Sequence, residues 1–340
     1  MNLDAAGPFY YRGDSVVDGW SASGLEVRGA TVRGYAHRYY GRPRQDEMSL
    51  AWHSGSSTLV AVVADGVSAA PMSHVGAATV CRYSSEYVLR HLSNGEPIDP
   101  RELIEGCAWA LTEAAQRLRG ASVADAAIAE ELMATTVAVV TVALGLGSAS
   151  VSGVVVGDSG IGVVESDQVT FLAGGRKGSS DGITDVSVTA LPRIPEQLIT
   201  AELRLEPGQT LLVATDGIWD PVGDGRGTVA SHLAAALHEK LPGRGAFLEV
   251  VDFVKETHDD DRTLIAVRLA DIPRPPGLAL RGVGGAQKES DQSDAGDESD
   301  QSQLRPPVHP AQVQTREQSN AEDGSTTDPE PDEGGQEPPR

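Results

Sequence analysis

Thr210-Leu-Leu-Val-Ala-Thr-Asp216-Gly-Ile-Trp-Asp220 is an apolar run that ends in a carboxylate and a glycine, with a second carboxylate four residues on. The same grammar occurs earlier, in Leu59-Val-Ala-Val-Val-Ala-Asp65-Gly66, and in Val154-Val-Val-Gly157-Asp158-Ser159. Near the end of the apolar part of the chain, His258-Asp-Asp-Asp-Arg-Thr263 leads into Leu264-Ile-Ala-Val-Arg-Leu269. One Asp-Gly pair alone reads as a turn, since Gly supplies positive φ and Asp caps the turn. The set reads differently: Asp65, Asp158 and Asp216 each follow a strand-like run, and Asp260 precedes one. In antiparallel neighbours the end of one strand lies beside the start of the next, so these residues can converge on one sheet edge. Gathered carboxylates repel unless a hard divalent cation neutralises them.

The spacing of apolar residues outside these runs places the remaining elements. Strand-like patterns occupy 24–35, 48–52, 58–64, 135–144, 149–157, 160–165, 169–172, 201–205, 210–215 and 263–269. Helical patterns occupy 74–92, a segment beginning after Asp99, 229–240 and 246–258. For the second helix, Asp99 is the N-cap, Pro100 takes the first helical position and Glu102 completes a capping box. Its apolar face is Leu103, Ile104, Cys107, Ala108, Leu111, Ala115 and Leu118. Hairpins dominate over parallel crossovers. The pattern therefore predicts an α+β fold, two antiparallel sheets covered by helices.

Composition sets the boundaries. The chain has 340 residues and a net charge of −22. Residues 274–340 contain no Phe, Tyr, Trp or Ile, and hold 14 acidic against 6 basic residues. That stretch cannot bury enough apolar surface to offset its ordering entropy, which predicts a disordered acidic tail after a folded domain at 1–273. The domain is itself acidic, which argues against nucleic acid or an anionic membrane as partner. Cys81 and Cys107 fall on apolar helix faces and read as buried core thiols. The first residues have neither a basic nor an apolar region of the secretory kind, predicting a cytoplasmic protein. Residues 132–157 carry no charge over a membrane-span length, but Gly145-Leu-Gly-Ser-Ala-Ser150 interrupts them, so two strands and a turn fit better.

Six segments in this order carry a resemblance: Arg44-Gln45-Asp46, Ala64-Asp65-Gly66, Ala134-Thr135-Thr136, Val156-Gly157-Asp158-Ser159, Ala214-Thr215-Asp216-Gly217-Ile218-Trp219-Asp220 and Asp260-Asp261-Arg262-Thr263. From about Gly29 to Leu269 the chain resembles the metal-dependent type 2C protein serine/threonine phosphatases. Gly34-Tyr-Ala-His37 and Gly41-Arg-Pro-Arg-Gln-Asp46 look most like a bacterial branch. The resemblance implies a β-sandwich flanked by helices on both sides, with two Mn²⁺ or Mg²⁺ ions at one end. It implies that Asp65 bridges the ions, the Gly66 carbonyl binds one, and Asp216 and Asp260 hold the other. Asp46 would orient metal-bound water, and Asp158 and Asp220 would form a weaker third site. All-oxygen ligands suit such hard ions, and water activated by the cations removes the need for a protein nucleophile, so Ser159 is not one.

The implied function is hydrolysis of phosphoserine and phosphothreonine in proteins phosphorylated by a serine/threonine kinase. Two alternatives stand beside it: a catalytically weak module that binds phosphoproteins, and a metal-dependent phosphohydrolase of small molecules. The chain departs from the family at three places. The usual phosphate-binding arginine slot is Gly41, leaving Arg42 as first substitute and Arg38 as second, with Arg44 facing solvent or pairing with Glu47. Val67 stands where a histidine general acid is common, leaving His37 or His74. Gln45 replaces a common glutamate. The final metal ligand is Asp260 by its spacing to Thr263, with Asp261 one residue away.

Overall fold

A computed structural model of the chain describes residues 12–270 apart from 23, 121, 167 and 176–188. The predicted tail, and most of the loop-rich stretch at 174–195, lie outside the described residues. Among the described residues eleven strands form two antiparallel sheets. The first sheet has the order β1 (Ser15–Ala22), β2 (Leu25–Val32), β11 (Arg262–Leu269), β10 (Thr210–Ala214), β7 (Gly160–Glu165), β8 (Gln168–Gly174). The second has the order β3 (Glu47–His53), β4 (Thr58–Ala64), β5 (Val137–Leu144), β6 (Ala149–Val156), β9 (Ile199–Leu205).

The apolar runs are continuous because the central strands are buried on both faces. On β4, Leu59, Ala61 and Val63 join the core between the sheets, with Val140, Val142, Leu211, Val213, Ile265 and Val267. Val60, Val62 and Ala64 point the other way, into a core shared with α2 (Ser73–Asn94), α3 (Pro100–Arg119) and α4 (Ala126–Met133). On the outer face of the first sheet, Leu212, Ala214, Leu264 and Ala266 pack under α5 (Asp216–Val222), α6 (Thr228–Leu237) and α7 (Arg244–Val251). Among the described residues the layers are therefore helix, sheet, sheet, helix, as the patterning predicts. The uncharged stretch is the β5–β6 hairpin, and no described helix is long and apolar enough to cross a membrane.

The predicted cap of α3 is present: the Asp99 side chain accepts from the Arg101 and Glu102 amides. Leu118, assigned to that helix's apolar face, is instead 44% exposed. It lies in the last turn of the helix. Cys81 and Cys107 are free and buried, and burial pushes both thiols up. The helix expected at 246–258 is shorter and ends at Val251. β1, α4, α5 and the short α1 (Tyr35–Tyr39) carry weaker patterns and escape the sequence reading.

Topology then delivers the strand ends to one place. β4 and β6 both run antiparallel to β5, so Asp65 and Asp158 leave the second sheet at the same edge. β10 and β11 are antiparallel with Ala214 opposite Leu264, which sets Asp216 beside the segment before β11. Glu47 pairs with Ala64, so Asp46 enters β3 beside the exit of β4.

Candidate metal centre

One carboxylate oxygen from each of Asp65, Asp158 and Asp216 lies within 4.8 Å of the others. The backbone of Asp65 is pinned from behind. The Thr135 hydroxyl donates to its carbonyl at 2.7 Å, and the Thr136 amide donates to the same oxygen at 2.8 Å. Thr136 Oγ1 also lies 2.8 Å from the buried Ser159 Oγ. The Ala134-Thr135-Thr136 segment thus sets the Asp65 turn, and Ser159 serves as a hydrogen-bonding partner. Asp216 is the first residue of α5, where the helix N-terminus favours negative charge.

The carboxyls destabilise one another's charge. Burial and then Asp216, Asp46 and Asp260 hold Asp65 well above the usual carboxylate range. Burial and then Asp158, Asp260, Asp46 and Asp220 raise Asp216 to about 8. Burial and then Asp261 raise Asp46, although hydrogen bonds from Asp65, Thr263 and Thr215 oppose that shift. Such a set, all oxygen and partly buried, fits hard divalent cations and lacks the thiolate and imidazole ligands that zinc sites favour.

The consecutive residues Asp260 and Asp261 have different surroundings. Asp260 has a side chain 46% exposed, and burial with the neighbouring Asp261 raises its pKa. Asp261 is buried and turned inward. Its Oδ1 accepts from the Gly34 amide at 2.6 Å, and its Oδ2 from the Gln45 amide at 2.5 Å. His37 Nδ1 lies 2.9 Å from Asp261 Oδ1, and His37 Nε2 lies 3.8 Å from Asp260 Oδ1. Burial alone would raise Asp261, but His37 and the two amides outweigh it and hold it low. For His37 the same contest runs the other way: burial lowers its pKa, and Asp261, Asp260 and Asp46 together raise it.

Two glycines admit the segment before β11. A Cβ on Gly217 would lie 1.8 Å from the Asp261 carbonyl oxygen, and one on Gly34 would lie 2.4 Å from that of Asp259. The Asp216-Gly217 pair therefore starts α5 in a close backbone approach to the segment before β11. Gly217→Ala is expected to cost about 1–3 kcal/mol of stability, the range for overpacking. It should also weaken Mn²⁺ binding, because the 260–262 backbone must move; denaturation and calorimetric titration measure the two effects.

The other sequence candidates are spread out. Arg42 is exposed, with its guanidinium 5.9 Å from the centre of the Tyr40 ring and its amide donating to the His37 carbonyl at 2.9 Å. Arg38 lies 4.0 Å from Asp14 and 3.9 Å from Asp252. Arg44, expected to face solvent or to pair with Glu47, is 2% exposed. Its Nη1 donates to Thr31 Oγ1 and to the Asp46 carbonyl, and Glu47 lies 3.9 Å away. Arg12, which sequence reasoning missed, donates to the Arg44 and Asp46 carbonyls and pairs with Glu47. His74 is buried, and burial with the nearby Arg12 lowers its pKa to about 4, so it is neutral near pH 7. Asp220 lies close enough to Asp216 to raise its pKa.

Comparison with known proteins agrees with this architecture. The family described as protein phosphatase 2C matches residues 33–255. No curated protein sequence matches the chain. Among solved structures, RsbX in complex with magnesium is similar with a TM-score of 0.50 and 13% identity, over 75% of this chain and 100% of that one. A serine/threonine phosphatase of S. agalactiae is similar with a TM-score of 0.50 and 14% identity, over 72% of this chain and 99% of that one. A bacterial serine phosphatase gives a TM-score of 0.50 at 17% identity, over 73% and 100%. At these identities the likeness is one of fold.

Proposed function

Because this chain belongs to the protein phosphatase 2C family, we propose that it hydrolyses phosphoserine and phosphothreonine esters of proteins with Mn²⁺ or Mg²⁺. The observation that carries the reading is the convergence of Asp65, Asp158 and Asp216 within 4.8 Å. Asp65, Asp216, Asp260 and the Gly66 carbonyl would hold two ions, and Asp158 with Asp220 would complete a third, weaker site. The ions would supply an activated water and neutralise the phosphate oxygens.

The remaining work falls to this chain's own groups. Asp46, buried beside Asp65, accepts a hydrogen bond from the attacking water and orients it. Arg42 reaches from the exposed loop to grip a phosphate oxygen. His37 delivers the proton that the leaving serine or threonine oxygen requires, since Val67 has none to give. Asp261 fixes the orientation of the His37 ring. The net reaction adds water across the P–O bond and releases phosphate and a hydroxyl side chain. The substrates are phosphorylated proteins, products of a serine/threonine kinase, met in the cytoplasm.

The test is a Mn²⁺ titration of the purified chain with a phosphothreonine peptide and an aryl phosphate. Turnover of both, lost with chelator, is the expected result. Peptide binding without turnover would replace the reading with that of a phosphoprotein-binding module. Turnover of small esters alone would point to a different phosphohydrolase. Arg42→Ala is expected to raise KM for both substrates and to weaken inhibition by free phosphate. The expected loss is about 1.5–3 kcal/mol, as for a hydrogen bond to a charged group. Unchanged kinetics there, with a large loss in Arg38→Ala, would move the role to Arg38.

A further inference from the structure

Asp46 Oδ2 takes two side-chain hydrogen bonds that no step above uses. Thr215 Oγ1 donates to it at 2.8 Å, and Thr263 Oγ1 lies 2.7 Å from it. Thr263 Oγ1 is also 2.6 Å from Thr31 Oγ1, which accepts from Arg44 Nη1 at 2.9 Å. The Thr263 amide donates to Thr215 Oγ1 at 3.1 Å. All three threonines are 0% exposed. Thr31 and Thr263 face each other across the β2–β11 pair, and Thr215 follows β10. Asp46 comes from the other sheet, one residue before β3. The network therefore joins the edges of the two sheets at the candidate centre.

Proton counting gives the network a direction. A hydroxyl carries one proton, a guanidinium only donates, and an ionised carboxylate only accepts. With Asp46 ionised, as bound cations would hold it, a Thr263 that gave its proton to Thr31 would face Asp46 Oδ2 at 2.7 Å with no proton between them. In that state Thr263 donates to Asp46, which leaves Thr31 as the donor of the 2.6 Å Thr31–Thr263 pair, and the Thr31 oxygen accepts from Arg44. Thr215 donates to Asp46 while its oxygen accepts from the Thr263 amide. Every proton points toward Asp46 Oδ2.

We propose that Thr31, Thr215 and Thr263 are positioning residues, a one-way hydroxyl relay from Arg44 that fixes Asp46 as an oriented acceptor and withholds its Oδ2 from the cations. The catalytic half of this statement rests on the phosphatase reading, and the cation half does not. Without the relay, Oδ2 is a bare buried carboxylate oxygen beside a cation site, and its best remaining partner is the cation. Loss of the relay should therefore tighten metal binding while it slows turnover. A group that only supported the fold would weaken both.

The experiment uses the full chain with Thr215→Val, Thr263→Val, Thr31→Val, the Thr215→Val/Thr263→Val double variant and Thr263→Ser. Mn²⁺ affinity is read by calorimetry, and kcat and KM are read on the aryl phosphate and the phosphothreonine peptide. In the double variant kcat is expected to fall about tenfold to a hundredfold, the scale of a misplaced catalytic group, with KM within about twofold. Its Kd for Mn²⁺ is expected to drop about threefold or more, as ligand charge at the site rises. Thr31→Val should move both in the same directions by less, and Thr263→Ser should restore both. Weaker or unchanged Mn²⁺ affinity, unchanged kcat, or a serine variant as impaired as the valine one overturns the proposal. If the double variant does not fold, the single variants are read by the same criteria. If the wild-type chain turns over neither substrate, the phosphatase reading fails, and the sign of the affinity change alone decides the relay.

Discussion

Asp216→Asn and Asp65→Asn are each expected to remove most phosphate-ester hydrolysis while raising the melting temperature of the cation-free protein. The two effects have one cause. Asp216 sits among Asp65, Asp158, Asp260, Asp46 and Asp220, and Asp65 among Asp216, Asp46 and Asp260. In the absence of a cation each carboxyl sits in a partly buried place where it must either carry its charge against its neighbours or take up a proton, and both cost stability. An amide of nearly the same shape removes one ionisable group and leaves the packing in place. Relief of about 1–2 kcal/mol follows from a pair of like charges moved from close contact in a partly screened medium. With cations present the sign reverses, because the wild-type cluster is then neutralised and the variant has lost a ligand. Saturating Mn²⁺ should therefore raise the wild-type melting temperature more than that of Asp216→Asn. Scanning calorimetry with chelator and with Mn²⁺ measures both terms. Full activity of Asp216→Asn at saturating Mn²⁺ would remove Asp216 from the centre, and a lower melting temperature in chelator would show that the carboxylate supports the fold.

The elements that the sequence made legible are those in which apolar period and chemistry coincide. β4, β10 and β11 read as strands because both faces are buried and their runs have no charged interruption until the aspartate, or up to Arg268 in β11. α3 read cleanly because Asp99 and Pro100 mark its start. The gathering of Asp65, Asp158 and Asp216 followed from the antiparallel hairpins and needed no side-chain detail. Other features were hidden for physical reasons. α5 begins at Asp216, so its first residues read as the end of a strand and a turn. β1 is an edge strand with several exposed side chains and a glycine, which blurs its alternation. Arg44 looked like a solvent-facing arginine because its partners, Thr31 and the Asp46 carbonyl, are made adjacent only by folding. The threonine relay was invisible for the same reason: its members come from 31, 215 and 263, and no local pattern marks a threonine as a donor to a distant carboxylate.

Asp260 and Asp261 should separate function from folding. Asp260→Asn is expected to keep the fold and lose Mn²⁺ affinity and turnover, since its side chain faces the acidic group and takes part in raising Asp216. Asp261→Ala is expected to be destabilised by about 3–5 kcal/mol, the range for removing one partner of a buried ion pair. Asp261 is 1% exposed, and the Gly34 and Gln45 amides and the His37 ring all depend on it. Its loss leaves those donors buried without an acceptor and frees the loop that carries His37 and Asp46 toward the centre. Turnover then falls as a consequence of local disorder, so kcat and the melting temperature decline together. Asp261→Asn is the milder case. The amide oxygen can still accept from one backbone N–H, but its NH₂ faces either His37 or the second amide. That change should cost less stability and should lower the pKa of His37, because the carboxylate that raises it is gone. Titration of the His37 ring by NMR in Asp261→Asn measures the shift. A melting temperature unchanged in Asp261→Ala, with Mn²⁺ affinity lost there and kept in Asp260→Asn, would exchange the roles of the two residues.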